Sequence, residues 1–445
     1  MVRMNDRVPA LRVAALASLA CLAFLGALVA LAPPASADDD EEPGAPPAAG
    51  EPNPPEGGRR SPAPPDSIEK AYLRLESLRK MPLTGPGAMV RRRERLHGLA
   101  EAALALHAKT PATGEDLFRL AELCTDGDRP AEAVGFAAAY LASGGGKDPL
   151  PSEGPARALE IRGLAATGKL AEADAALKAY AERMPGADGL APVGKSVGDA
   201  WLEAGKPAEA LARYREAHAR LVRPVKAGTA ATVQALAEAL AFHGETAEAR
   251  KVVEKAMEES AGDRGLEPRF RSVLRRLEMT GEKFPVPPLD RWLGAAPPTE
   301  PDLKGKVVVW HLFGWWAATR PAPLEGWTAR LPEWGPRGLV LLPVTRTAGW
   351  DPAAKRFRGD RRPAEEIPDI EKAVRGLGWA GPVGVSFEGA LFNALLVRGL
   401  PMEVVVGRDG LVVFCQGGSD PGHRLALLAA ERALAAPAPP PPGGR

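Results

Sequence analysis

The chain has 445 residues, of which 48 are Gly, 46 Pro and only three Cys, and 57 Lys plus Arg against 56 Asp plus Glu leave a net charge of +1. Glycine and proline make up about a fifth of it, where ~12% is usual, yet hydrophobic residues at 45% suffice for packed cores and exclude a wholly disordered or collagen-like chain. The balanced charge offers no global field to draw nucleic acid or an anionic membrane. Three cysteines without short Cys/His spacing exclude a disulfide scaffold and a cysteine-rich zinc module. Neither a metal site nor a cofactor is expected.

At the N-terminus, Arg3, Arg7 and Arg12 lead into an uncharged run over 13–32, followed by the small residues Ala35-Ser36-Ala37 at the spacing a signal peptidase reads. Residues 1–37 read as an export signal cleaved after Ala37, which places the mature protein in a periplasmic or extracellular space. A run of that length also suffices to cross a bilayer, so an uncleaved anchor is the alternative and the one expected route to a membrane. Lipid attachment at Cys21 fits less well, because Ser18 stands where a leucine is usual and the apolar run continues past the cysteine. Residues 38–66, opening Asp38-Asp39-Asp40-Glu41-Glu42 and then rich in proline, have nothing apolar to bury and read as a disordered spacer. The proline-rich 435–445 reads as a second loose end.

Between 67 and 281 the composition turns to Ala, Leu, Glu, Arg and Lys with apolar residues at three- and four-residue intervals, the pattern of amphipathic helices. One phrase recurs: Asp128-Arg129-Pro130-Ala131-Glu132-Ala133, Gly168-Lys169-Leu170-Ala171-Glu172-Ala173, Gly205-Lys206-Pro207-Ala208-Glu209-Ala210 and Gly244-Glu245-Thr246-Ala247-Glu248-Ala249. Gly, or Asp128 in its place, can take the left-handed conformation that ends one helix. Proline at 130 or 207 suits the first turn of the next, and the alanines let two helices approach. Phe136, Tyr180, Tyr214 and Val253 are expected to pack each second helix on its first. Four copies at a period near 39 resemble tetratricopeptide repeats, with longer inter-repeat loops than that family has. The helices expected around 67–81 and 87–109 would add a leading pair. The resemblance implies a superhelix whose concave face binds proteins or peptides; a plain spacer is the alternative. Cys124, beside Leu120 and Leu123, reads as a small core residue.

From about residue 286 to 434 the chain changes character. Eight of the nine tryptophans lie there, and short β-branched runs alternate with helical stretches. Strands are expected over 306–313, 338–344, 382–387, 402–406 and 411–415, and helices over 322–334, 365–377, 390–397 and 423–435, an α/β domain with a mixed sheet. Leu303-Lys304-Gly305-Lys306 leading through valines to Phe313-Gly314-Trp315-Trp316 resembles the entry to the active site of TlpA-like thiol–disulfide oxidoreductases. Gly399-Leu400-Pro401 with the Arg408-Asp409-Gly410 turn resembles their cis-proline loop and following hairpin. The resemblance implies a thioredoxin-like fold, so the chain is expected to be multidomain: an all-α tetratricopeptide-like array followed by an α/β thioredoxin-like domain.

The departure from that family decides the chemistry expected. Where it carries Cys-x-x-Cys at a helix start, which stabilises a thiolate, this chain has Ala317-Ala318-Thr319-Arg320. Neither position can form a mixed disulfide, so no catalytic residue is assigned. What remains is a candidate binding groove of Trp316, Ala317, Thr319, Arg320, Leu400 and Pro401, with Arg320 expected to engage an acidic group on a partner. The leading expectation is an exported protein-binding adaptor; the alternative is a redox-pathway protein acting through Cys415 or a partner's thiols. His311 and His423 read as packing or capping residues. The cluster Lys355-Arg356-Phe357-Arg358 with Arg361-Arg362 reads as a solvated loop, or as a dock for an anionic partner or the acidic 38–42 segment.

Overall fold

The computed structural model describes residues 64–81, 88–144, 150–284, 288–317, 322–354, 356–376, 378–417 and 423–437. The expected signal, residues 38–63 of the acidic spacer, Thr319 and Arg320 lie outside them. Eleven helices come first: α1 (Ile68–Lys80), α2 (Ala88–Lys109), α3 (Glu115–Asp126), α4 (Pro130–Ser143), α5 (Glu153–Ala166), α6 (Leu170–Arg183), α7 (Leu190–Glu203), α8 (Pro207–Ala219), α9 (Ala230–Phe242), α10 (Thr246–Glu259) and α11 (Leu266–Met279). The recurring phrase is the turn within each pair α3/α4, α5/α6, α7/α8 and α9/α10. Its first residue takes positive φ every time: Asp128 63°, Gly168 77°, Gly205 74° and Gly244 83°. Proline stands at the start of α4 and α8. A helix C-terminus is thus closed by a left-handed residue and the next helix opened without wasting an N–H.

The packing alanines 133, 173, 210 and 249 are fully buried. Tyr180, Tyr214 and Val253 are buried as expected, but in the first copy the role falls to Tyr140, while Phe136 is half-buried and meets His107 of α2 edge-on at 5.0 Å. Gly198 in α7 shows how close the helices come: a Cβ there would stand 2.5 Å from the Tyr214 ring. Odd-numbered helices touch their odd neighbours along the whole array, α1 to α3 through α9 to α11. These odd-numbered helices form one layer of the array.

The second part holds β1 (Arg291–Leu293), α12 (Glu300–Leu303), β2 (Val307–Leu312), α13 (Ala322–Thr328), α14 (Leu331–Trp334), β3 (Leu339–Arg346), the small hairpin β4 (Trp350–Asp351) and β5 (Arg356–Phe357), and α15 (Pro363–Gly376). Then come β6 (Val383–Ser386), α16 (Ala390–Ala394), β7 (Met402–Val406), β8 (Val412–Gly417) and α17 (Arg424–Ala435). The main sheet runs β1-β6-β3-β2-β7-β8. β2 is parallel to β3 and antiparallel to β7, β3 is parallel to β6, and β7 pairs antiparallel with β8. With helices covering both faces, this is a thioredoxin-like arrangement. Expected and observed elements agree with local differences: the expected 322–334 helix is two short ones, β3 runs on to Arg346, and β1, α12 and the β4–β5 hairpin were not anticipated.

All six residues of β2 are buried, because alternate residues face two different cores. Val308, Trp310 and Leu312 join Val404, Met402, Cys415 and α16 on one side. Val307 and Val309 join Leu341, Val405, Phe414, α17 and the array helices α9 and α11 on the other. That second core is shared by both parts of the chain.

Candidate functional site

Two places among the described residues hold polar groups taken out of water and differ in how those groups are satisfied. The first is the seam between the array and the sheet. Helix α9 is buried at twelve of its thirteen residues, as expected of a helix apolar nearly all round, because β8 and α17 pack where solvent would otherwise lie. Two polar residues on it are fully answered. Glu238 Oε1 accepts from Arg276 Nη2 at 2.9 Å, both side chains being at most 6% exposed. Gln234 Nε2 donates to the Gly417 carbonyl at 2.5 Å and to Glu238 Oε1 at 3.0 Å. Arg276 Nη1 also donates to Ser272 Oγ, 3.1 Å away. Arg424 of α17 reaches Glu203 of α7 at 2.9 Å, and Arg432 donates to the Phe242 carbonyl at 3.0 Å with its guanidinium 4.2 Å from that ring.

The odd-numbered helices α7, α9 and α11 are packed against the chain's own α17 and β8. The sequence signal was present in 230–242, whose composition is apolar all round rather than striped.

Beside the seam, the sheet holds a buried cluster. His311 on β2 pairs in register with Glu403 on β7, and Glu403 with Gln416 on β8. His311 Nδ1 lies 2.9 Å from Glu403 Oε1, and His423 Nδ1 lies against Glu403 Oε2. Gln416 Oε1 accepts from the Ala426 backbone at 2.9 Å. His423 precedes α17 with φ 47° and makes no cap, so it packs rather than caps. Burial pushes both imidazoles down, to about 3, with His311 and Arg276 adding to the effect at His423. His311 Nδ1 is engaged by Glu403 Oε1, and among the described residues no group of three His, Cys, Asp or Glu side chains is arranged to hold a metal ion.

The second place is the groove at the C-terminal ends of β2 and β3, where α/β sheets present their ligands. A 3₁₀ turn, Trp315–Ala317, follows β2. It is fixed from below: Thr345 Oγ1 donates to the Phe313 carbonyl at 3.0 Å and accepts from Trp315 N at 3.3 Å. Trp315 Nε1 donates to the buried Glu366 at 2.9 Å. The same carboxylate accepts from the backbone N–H groups of Ala348 and Gly349 at 3.0 and 2.9 Å, tying the turn to the loop before β4.

Trp316 is half-buried and folds over Gly314, where a Cβ would stand 3.0 Å from its ring and 3.4 Å from Leu400 Cδ1. The Leu400–Pro401 peptide is cis. The structure therefore brings Trp316, the backbone of Ala317, Leu400 and Pro401 to one locality. Phe357 closes one side, 5.7 Å from Trp316 edge-on and 51% exposed. Arg346, which sequence reasoning left off the end of its strand, lies with its guanidinium carbon 5.8 Å from the Trp316 centroid and 5.6 Å from that of Phe392.

The basic cluster that looked available for docking is mostly spent within the chain. Arg358 pairs with Asp360 at 2.7 Å, Arg361 with Asp369, and Arg362 with Glu365 at 2.7 Å. Cys124 and Cys415, the cysteines among the described residues, are both buried and unpaired. Burial raises each thiol to about 12, where a thiolate is scarce at neutral pH.

No protein-family model matches the chain, and no curated protein matches it. Among solved structures, a thiol-disulfide isomerase from Corynebacterium glutamicum is 17% identical, the alignment covering 35% of this chain and 98% of that one, at a TM-score of 0.27. The exposed lipoprotein thioredoxin Etrx1 of Streptococcus pneumoniae is 23% identical over 29% of this chain and 88% of its own, at 0.23. A tetratricopeptide-repeat protein of Thermus thermophilus is 19% identical over 47% and 99%, at 0.30.

Proposed function

We propose that the chain is an exported adaptor, in which tetratricopeptide-like repeats and a thioredoxin-like groove bind protein partners and no disulfide exchange takes place. The observation that carries this reading is the residue after Trp316. A thioredoxin-like groove works through a thiolate at that turn, and here the turn ends in Ala317. The two described thiols offer no substitute. Cys415 sits in β8 under the core formed with α16, and Cys124 lies in the array. Each is desolvated, and a disulfide-exchange nucleophile needs both access and a populated thiolate.

Export is supported by the arginine-led apolar run and the Ala35-Ser36-Ala37 site. Among the described residues no helix is long and apolar enough to cross a membrane. The surfaces proposed for partners are the groove and the layer formed by α1, α3 and α5. An insulin-reduction assay on the exported form tests the reading: the expected rate equals that of the reductant alone. A rate above it that Cys415→Ser abolishes would replace the adaptor with a redox enzyme.

A further inference from the structure

We infer that the groove is a carboxylate-binding site, with Arg346 as its anion receptor, and that its ligand is an extended acidic peptide segment of a partner protein. The inference rests on the adaptor reading and names the ligand class of the same groove. Arg346 ends β3, opposite Ser386 in register on β6. Its side chain is held on three sides: by the Trp316 ring, by the Phe392 ring, and by Gly389. A Cβ at Gly389 would stand 3.2 Å from both Cδ and Nη1 of Arg346, so the absence of one leaves the channel the side chain occupies. Gly389 also has φ 70°, so both its backbone and the arginine beside it favour glycine.

Among the described side chains this arginine has no carboxylate partner, and its Nε is buried without a hydrogen-bond partner. The nearest acidic influence is Glu366, whose oxygens are already taken by Trp315 Nε1 and the backbone N–H groups of Ala348 and Gly349. Desolvation lowers the Arg346 pKa from its usual value, yet a guanidinium stays charged at any physiological pH. A partly desolvated cation without a counterion is costly, and a carboxylate answering it in bidentate fashion removes that cost.

The lining favours a peptide segment over a small anion or a nucleic acid. Trp316, Phe357 and Leu400 lie together as apolar walls, which suit side chains flanking an acidic residue. A net charge of +1 gives no field for a long polyanion.

The test is fluorescence anisotropy of the full chain with two labelled ten-residue peptides, one alternating Glu and Leu and the other alternating Gln and Leu, each with a free or an amidated C-terminus. The acidic peptide is expected to bind at least tenfold more tightly than its neutral counterpart and to weaken as salt rises. Arg346→Gln is expected to cost at least tenfold on the acidic peptide and nothing on the neutral one, with Arg346→Lys in between and Arg362→Gln unchanged. Near-ultraviolet circular dichroism confirms that Arg346→Gln stays folded, and the Lys variant carries the comparison if it does not.

Equal binding of both peptides, or an acidic peptide that binds Arg346→Gln as it binds the wild type, overturns the assignment. Amidation that abolishes binding would assign the site to a terminal carboxylate and overturn recognition through acidic side chains. Neutralising Asp38 to Glu42 is expected to leave the affinity unchanged; a tenfold gain would put the chain's own acidic segment in the groove and overturn a partner in trans. Insulin reduction by the chain would sink the adaptor reading while leaving these binding results standing, so the two failures are separable.

Discussion

Arg276, at the seam between array and sheet, and Arg346, at the groove, are both cations withdrawn from water, and they end in opposite conditions. Arg276 donates through its two Nη atoms to Glu238 and to Ser272, although its Nε, like that of Arg346, is buried without a partner, and its burial joins one part of the chain to the other. Arg346 rests against two aromatic rings and a glycine and pairs with no carboxylate among the described side chains. A buried charge that is paired specifies architecture, while one that is desolvated and left open is waiting for a ligand. The same contrast separates two faces: α7, α9 and α11 pack against the chain's own α17 and β8, whereas at the groove no described carboxylate pairs with Arg346.

The contrast predicts unequal costs for removing each charge. Glu238→Ala leaves Arg276 as an uncompensated buried cation and should destabilise by about 3–5 kcal/mol, read as a lower midpoint in urea. Because α9 packs on both the array and β8, the array and sheet should lose structure in one transition. Two well-separated transitions in that variant or in the wild type would show that the seam does not couple the parts.

Acid should attack the same region next. His311 and His423 have folded pKa values near 3 against 6.5 when exposed, so the unfolded chain takes up protons first. Stability is fully present above pH 6.5 and is lost as pH falls towards 3, by up to about 1.4 kcal/mol per pH unit for each imidazole. Glu403 faces both rings and Arg276 lies near His423, so His423→Gln should flatten the slope between pH 6 and 4. An unchanged slope would mean that the cluster is not what senses acid.

Arg346→Gln, by contrast, breaks no hydrogen bond among the described residues and gives up cation–π contacts of about 0.5–1 kcal/mol each. Relief of desolvation offsets part of that loss, so the change in stability should stay within about 1 kcal/mol by the same urea titration. A loss as large as that of Glu238→Ala would make Arg346 a structural residue and erase the distinction between the two arginines.

What the sequence disclosed follows the range of the interactions involved. The repeat turns were legible because a helix C-terminus, a left-handed residue and a helix start are local, and Asp128, Gly168, Gly205 and Gly244 carry them in four adjacent residues. The β2 entry and the Leu400–Pro401 loop were legible for the same reason. Arg346 was missed because Thr345-Arg346-Thr347 reads as the polar start of a loop, although β3 continues through it to pair with Ser386. The Glu403 cluster needs residues 92 positions apart along the chain to meet, and the Gln234 contact to Gly417 needs 183. A lone glutamate between Met402 and Val404 was the visible trace of the first, and an unstriped apolar helix that of the second. The expected groove cation, Arg320, lies outside the described residues, and Arg346 supplies the charge from the neighbouring strand.

The central claim is that this thioredoxin-like groove binds without thiol chemistry, and the reactivity of the two described cysteines tests it most directly. Iodoacetamide labelling of the folded chain at pH 8, followed by mass spectrometry, should find Cys124 and Cys415 modified at least about a thousandfold more slowly than a free cysteine of pKa ~8.5, with rapid labelling only after denaturation. Labelling of Cys415 in the native protein at the rate of a free thiol would contradict the claim.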